Sequence, residues 1–532
     1  MDAAPITWVT LGQCGGRRQT PHVLTCRVTL NPDLRIAPVE RKLFGSFVEH
    51  MGRCVYGGIF EPGDPQADAD GLRRDVLDLT TELGITVVRY PGGNFVSGYR
   101  WEDGVGPVAE RPRRLDLAWR SRESNTFGLA EFMQWCDRAN VEPMVAINLG
   151  TRGIQEACDL VEYANHAGGS YWSDLRIKHG HTEPFAIKLW CLGNEMDGPW
   201  QIGHKTAGAY GALATECAKA MRQVDPSIRL VLCGSSSPRM PTFGSWEATA
   251  LDYAFEYVDY ISLHSYFEPY GDDVGSFLAS AHAMDNFIDG VIAIADRIAA
   301  KKGSERKLKL SFDEWNVWYQ QRFAGHVNLE WETAPRLIED EYTVRDAVVV
   351  GNLLMSLLRH ADRVEIACLA QLVNVIAPIR TEPGMPAWRQ TTFYPFALTA
   401  RHARGDVLRV GLDATKYETA AYGDVPVTDV VATRDAGTGE VAIFAVNRSQ
   451  TELTTLEVAL RTFPRMRVVE HLTYGGHASD LTNNQSAPTR AVPHACDVGS
   501  ADIDGFSATL PAQSWNLIRL TPAQADVARF RT

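Results

Sequence analysis

The chain of 532 residues and 58.8 kDa is too long for one hydrophobic core of ordinary size, so about two to four domains are expected. Its apolar content of 45% and charged content of 22% are those of a globular protein and set aside disorder and coiled coil. A net charge of −13 and a pI near 5.6 argue against nucleic acid, whose binding needs clustered Lys and Arg to displace counterions.

Residues 1–21 read as an N-terminal extension, expected to be disordered. Asp2 and a short Ile6–Leu11 run holding two threonines lack the cationic start and apolar stretch of a secretory signal. Later apolar runs such as Val348–Leu358 are shorter than the roughly 20 residues of a membrane helix. The chain is therefore read as cytoplasmic, with no membrane partner. The segment 22–40 holds a strand, His22–Leu30, which has no neighbour of its own and is expected to pair into a distant sheet.

From residue 41 to 395, short β-rich runs alternate with helical patterns, as in repeated βαβ units. The expected strands are Leu43–His50, Thr86–Gly93, Pro143–Leu149, Ala186–Glu195, Arg229–Gly234, Tyr260–Tyr266, Leu308–Glu314 and Val364–Val373. Apolar residues recurring at three and four mark helices at Leu72–Leu83, Thr126–Asn140, Ile154–His166, Thr206–Val224, Ala248–Tyr257, Ser276–Ala300 and Thr343–Arg359. Eight such units predict a (β/α)8 TIM barrel. No glycine-rich phosphate fingerprint follows the first strand, which weakens a dinucleotide fold.

Residues 396–532 change to short alternating strands with Gly, Asp and Asn turns: Val427–Arg434, Glu440–Asn447, Leu456–Leu460, Arg467–Thr473 and Trp515–Leu520. They predict a C-terminal antiparallel β-sandwich of jelly-roll type. The ten cysteines form no close pairs, so neither a disulfide framework nor a metal site is expected.

In a barrel of this kind, functional groups gather at the carboxyl ends of the strands. The fourth strand ends Leu192-Gly193-Asn194-Glu195 and the seventh ends Phe312-Asp313-Glu314. Two glutamates on strands that can face each other across the mouth suit glycosidic cleavage, which needs two carboxyl groups flanking the bond. Other polar residues end the remaining strands: Glu49 and His50, Arg89 and Asn94 around Pro91-Gly92-Gly93, His264 and Tyr266, and Gln371.

The motifs Phe44-Gly45-Ser46-Phe47-Val48-Glu49-His50, Arg89-Tyr90-Pro91-Gly92-Gly93-Asn94, Gly193-Asn194-Glu195-Met196, His264-Ser265-Tyr266 and Asp313-Glu314-Trp315-Asn316 resemble those of family 51 α-L-arabinofuranosidases. The likeness runs from about residue 25 to 520. It implies an exo-acting enzyme that removes terminal non-reducing α-L-arabinofuranosyl residues from arabinan, arabinoxylan or their oligosaccharides by retaining double displacement. By the same resemblance Glu195 is the acid/base and Glu314 the nucleophile. Asn194 holds the sugar 2-hydroxyl, and Glu49, Asn94 and Gln371 bind the remaining hydroxyls and the ring oxygen. His264 and Tyr266 position the nucleophile, Arg89 helps keep it ionised, and Trp119 and Trp318 line the leaving-group side. No metal or organic cofactor is implied, and the family resemblance implies a homohexamer. The rival readings are a β-xylosidase or endo-β-glucanase with the same two carboxylates, and a non-catalytic carbohydrate-binding protein built on the sandwich.

Overall fold

Eight short parallel strands close into a barrel in the computed structural model, which describes residues 23–325, 329–476, 479–497 and 505–523. In chain order they are Gly45–Phe47, Val87–Tyr90, Glu142–Ala146, Leu189–Leu192, Arg229–Leu232, Tyr260–Phe267, Lys309–Val317 and Val364–Ala370. The ring closes where Cys368 pairs with Gly45. All eight lie where the apolar runs placed them, most of them shorter. The first is shortened because Arg41–Phe44 winds into a 3-10 turn. Past Phe47 its chain continues as a loop beside the second strand, with the Val48 amide on the Arg89 carbonyl (2.9 Å) and the His50 amide on that of Pro91 (3.1 Å). That path carries Glu49 to the barrel mouth.

Each strand is buried on both faces, which is why it reads as a continuous apolar run. Phe47, Val87, Met144, Leu189, Cys191, Val231, Tyr260, Ile366 and Cys368 fill the interior. Outside, the helices Arg74–Leu83, Leu129–Ala139, Ile154–Asn165, Ala207–Val224, Ser245–Ala254, Ser280–Lys301 and Val344–Arg359 lay apolar stripes on the strands. The expected Ser276–Ala300 helix is broken at Ala279, with a short helix Val274–Leu278 ahead of Ser280–Lys301, and two further helices, Tyr171–Lys178 and Phe393–His402, were not expected. The described cysteines are free thiols. The expected extension 1–21 and the first residue of the expected His22–Leu30 strand lie outside the described residues.

The second architecture is a nine-stranded sheet. Its order is His494–Ala495, Met466–Gly475, Ser514–Pro522, Val441–Asn447, Thr428–Arg434, Asp406–Ala414, Val23–Pro38, Leu453–Leu460 and Gly505–Leu510. It folds over a core that joins Val430, Ile443 and Ile518 from one half to Leu456, Val458 and Leu510 from the other. This is the expected β-sandwich, extended by strands the alternation did not mark. The N-terminal strand pairs into it as expected, antiparallel with Asp406–Ala414 and parallel with Leu453–Leu460.

Helix Val344–Arg359 is wedged between barrel and sheet, so Val348, Val349, Val350, Leu353, Leu354, Leu357 and Leu358 are all buried. Among the described residues no helix is long and apolar enough to cross a membrane. The helix start is fixed by a reciprocal cap, in which the Thr343 amide donates to Asp346 Oδ2 (2.7 Å) and the Asp346 amide to Thr343 Oγ1 (3.3 Å). Its far end meets the sheet through Asp429, which accepts from Arg359 Nη2 (2.5 Å), Arg448 Nη2 (3.0 Å) and Asn352 Nδ2 (2.8 Å). Burial alone would raise the Asp429 carboxyl, but the Arg359 and Arg448 charges outweigh it and hold it well below the usual carboxylate range.

Asp429→Ala is expected to destabilise the protein by about 3–5 kcal/mol, because the buried Arg448 guanidinium loses its counter-charge and Arg359 is left with Asp285 alone. A carboxyl depressed in the fold stabilises fully above its unfolded value, near 4, and that contribution fades as pH falls through the folded value. In urea titrations the gap between wild type and variant should therefore hold from about pH 7 to 5 and narrow below about 4. A gap that widened on acidification would overturn this account.

Candidate active site

The carboxyl ends of the barrel strands converge on two glutamates. Glu314 lies in the seventh strand, where the pairing with the sixth slips between Ser311↔Ser262 and Glu314↔His264. The slip is a β-bulge with one extra residue, and such bulges re-aim side chains beside active sites. Here it lets consecutive residues, Asp313 and Glu314, both reach into the mouth. Glu195 follows the fourth strand through Gly193 and Asn194, and its own φ of 43° is a left-handed backbone conformation uncommon for a residue with a side chain. One oxygen of Glu195, one of Glu314 and a ring nitrogen of His264 lie within 4.8 Å of one another.

Glu314 is held on both oxygens. Arg89 Nη1 donates to Oε1 (2.7 Å) and the Tyr266 hydroxyl to Oε2 (2.8 Å). Burial pushes the Glu314 carboxyl up, and the nearby Glu195 adds to this, while the His264 and Arg89 charges and the Tyr266 hydrogen bond oppose it. Arg89 thus restrains a carboxyl that burial raises; it does not by itself set a low value. The guanidinium also donates to Asn194 Oδ1 (2.7 Å) and lies 3.3 Å from Asp313 Oδ2 through Nε. Its own proton is secure: burial works against the charge, but Asp313 and Glu314 hold the group well above its ordinary value.

His264 spans the two sides of the site. Nδ1 lies 2.9 Å from Glu195 Oε1 and 3.7 Å from Glu314 Oε2, and Nε2 lies 3.2 Å from Asp313 Oδ1. Burial would lower its pKa, but the Glu314 charge and the bonds to Asp313 and Glu195 outweigh this and raise it to about 10. The ring is therefore protonated near neutrality and donates from both nitrogens. Glu195, His264 and Glu314 form the one group among the described residues with metal-ligand spacing.

Opposite, Glu49 is 2% exposed. Its Oε1 accepts from the Phe95 amide (3.0 Å) and Trp119 Nε1 (2.9 Å), and its Oε2 from Gln371 Nε2 (3.3 Å). Burial, opposed by the Phe95 amide, pushes this carboxyl up to about 8. Trp119 is thus buried against Glu49 on a hairpin formed by Arg114–Asp116 and Ser121–Glu123. Trp318 is half-buried and stands edge-on to Tyr266, with ring centroids 5.2 Å apart. Asn94 is half-buried at the start of the turn Asn94–Ser97. His50 points away from the glutamates, between Glu123 Oε2 (2.9 Å) and the Tyr90 hydroxyl (2.9 Å).

The floor between these groups is Gly93. A Cβ there would lie 3.1 Å from Glu314 Oε1 and 3.4 Å from both Asn194 Nδ2 and Glu49 Oε2. Asn194 Nδ2 is buried and has no protein partner, which leaves a donor facing that space. Gly93→Ala is expected to lower kcat/KM by on the order of 100-fold with little change in Tm, because a methyl group would displace atoms whose placement sets the reacting geometry. Unchanged kcat/KM would mean that this space does not receive substrate.

The sequence reading assigned no role to three further groups at or beside these residues. Asp313 bridges Arg89 and His264. Trp200, 51% exposed, donates from Nε1 to Glu195 Oε2 at 2.8 Å. Asp197 is fixed by the Ser236 amide at 3.1 Å and hydroxyl at 3.2 Å. Asp313 carried a signal, since it precedes Glu314 in the same motif; a half-exposed loop tryptophan carries none.

Comparison with known proteins gives a consistent result. Residues 79–286 match the α-L-arabinofuranosidase 1 domain and residues 313–514 the α-L-arabinofuranosidase C-terminal domain. The chain is 56% identical over 498 residues to an intracellular exo-α-(1→5)-L-arabinofuranosidase of Streptomyces lividans, covering 93% of this chain and 75% of that protein. It is 51% identical over 509 residues to an exo-α-(1→6)-L-arabinofuranosidase of Bifidobacterium longum, covering 93% and 97%. A solved family 51 α-L-arabinofuranosidase from Bifidobacterium longum superposes with a TM-score of 0.89 at 45% identity, covering 94% of this chain and all of that one.

Proposed function

The chain belongs to the family 51 α-L-arabinofuranosidases and is an exo-acting glycoside hydrolase, and from that premise we propose that it works with retention, Glu314 attacking the anomeric carbon and Glu195 serving as acid and then base. The observation that carries this reading is the approach of a Glu195 oxygen and a Glu314 oxygen to within 4.8 Å. Retaining glycosidases hold their carboxyl groups roughly 5–5.5 Å apart, whereas inverting ones leave about 6.5–9.5 Å for a water molecule. Asn194, with its unpartnered Nδ2, is assigned to the sugar 2-hydroxyl. Glu49, Asn94 and Gln371 are assigned to the other hydroxyls and the ring oxygen. Arg89, His264 and Tyr266 orient the carboxyls, and Trp119 and Trp318 wall the pocket.

The substrates are taken to be arabinan- and arabinoxylan-derived oligosaccharides. α-(1→5) linkages come first, because the Streptomyces lividans relative carries that specificity in its name. That relative's name also supports an intracellular location. A homohexamer is proposed on family membership alone, and a monomer by light scattering would overturn that part. The barrel is assigned residues 41–395 and the sandwich 396–532 together with 22–40.

Stereochemistry tests the mechanism. Proton NMR of an α-L-arabinofuranoside during hydrolysis should show α-arabinofuranose forming first and mutarotating afterwards. A β-anomer as first product would exclude double displacement. Initial rates on nitrophenyl α-L-arabinofuranoside should exceed those on the matching β-D-xyloside and β-D-glucoside, and a higher β-xyloside rate would reassign the substrate.

A further inference from the structure

Glu195 has both carboxyl oxygens occupied. Oε1 faces the protonated ring of His264, and Oε2 accepts the indole N–H of Trp200. This arrangement suits an ionised carboxylate, which only accepts. It does not suit an acid about to protonate a leaving oxygen, since a protonated Oε2 is a poor acceptor and an indole N–H can only donate. Oε1 is turned to buried His264, and Oε2 to Trp200, which is half-exposed.

The loop around Trp200 is anchored while its ring is not. Gln201, 2% exposed, is fixed to the Ser97 hydroxyl. The Lys205 amide donates to the Met196 carbonyl (2.9 Å), and the Gly198 amide to that of Glu195 (2.8 Å). The Trp200 indole lies directly over Gly198, where a Cβ would approach ring atoms to 2.6–2.9 Å. A half-exposed ring on an anchored loop can swing outward without unfolding its support.

We propose that Trp200 is a latch on Glu195, holding Oε2 in its accepting form until the leaving group of a bound oligosaccharide displaces the indole and frees that oxygen to take up a solvent proton, which it passes to the departing oxygen and regains from the attacking water in the second step. The proposal rests on the assignment of Glu195 as the acid/base. It makes Trp200 a positioning residue whose release couples arrival of the leaving group to readiness of the acid. After the leaving group departs, the returning N–H again favours the ionised form, which the second step needs as base.

Two variants remove the latch by different routes. Trp200→Phe keeps a flat ring and deletes the donor. Gly198→Ala keeps the indole and pushes it off Oε2. The other groups facing Glu195 stay in place in both: Asp197 on its own loop, Glu49 and Arg89 from the first two strands, His264 and Tyr266 from the sixth, Asp313 and Glu314 from the seventh. Loss of a donor to a carboxylate favours its protonated form. The alkaline limb of kcat/KM on α-(1→5)-arabinobiose should therefore move up by roughly half a pH unit to one unit in both variants. The profile on nitrophenyl arabinofuranoside, whose leaving group needs little protonation, should stay where it is. Glu195→Ala serves as the control for the underlying assignment: a loss of kcat/KM confined to arabinobiose supports it, and equal losses of kcat/KM on both substrates would overturn it. With that control satisfied, an unmoved or lowered limb in either variant, or equal shifts on both substrates, would overturn the latch alone.

Discussion

Replacing Glu314 by alanine is expected to reduce turnover by on the order of 10⁴-fold or more, on activated and natural substrates alike, because no other group occupies the attacking position. Replacing Glu195 by alanine should act selectively. A nitrophenyl leaving group departs with little protonation, so the glycosyl-enzyme still forms and then accumulates for want of a base. Azide needs no general base and should restore turnover in Glu195→Ala, giving α-arabinosyl azide after two inversions. In Glu314→Ala, azide can enter only by single displacement and yields the β-azide. NMR of the products assigns both residues in one experiment: an α-azide from Glu314→Ala with a β-azide from Glu195→Ala would reverse the roles.

Arg89→Met should have the next largest effect, on folding and turnover together. The guanidinium is 1% exposed and contacts Glu314, Asn194 and Asp313. Its removal leaves buried Asp313 and Glu314 with His264 as their remaining cation, a loss of about 3–5 kcal/mol. Activity should fall by on the order of 1,000-fold, since Glu314 and Asn194 then lose the fork that fixes both of them. Arg89→Lys separates the two effects. It keeps the charge, so most of the stability should return, but an ammonium cannot reproduce a planar fork with three partners, and kcat/KM should stay low. Full activity in Arg89→Lys would show that charge alone is required. A wild-type Tm in Arg89→Met would show that the network adds nothing to the fold.

Much of this arrangement can be read from residue order, for reasons that also mark where reading ends. The barrel strands are legible because burial on both faces makes runs such as Leu189–Leu192 uniformly apolar. Arg89 interrupts one run without disguising it, because its charge is satisfied across the barrel mouth. Helix Tyr171–Lys178 escapes notice because its apolar residues fall all around it, leaving Tyr171 73% exposed. Strand Asp406–Ala414 escapes because only Val407 and Leu408 are buried along it. At the site, Glu195 and Glu314 announce themselves as acids at the ends of strands. The bulge that turns both Asp313 and Glu314 inward, the left-handed turn at Glu195 and the indole on Oε2 depend on partners remote in sequence, and local periodicity carries no trace of them.

The strand Val23–Pro38 lies inside the second sheet, between neighbours that begin at Asp406 and Leu453. Synthesis therefore delivers a central strand first and its partners last. At about 5–20 residues per second, some 430 residues of intervening chain keep the Val23 to Leu453 pairing waiting roughly twenty to ninety seconds on the ribosome. The barrel can assemble in that interval while the early strand stays unpaired on both edges, a template for any passing strand. The apolar alternation Cys26, Val28, Leu30 that later fills the sandwich core is, for that time, the nascent chain's most exposed liability.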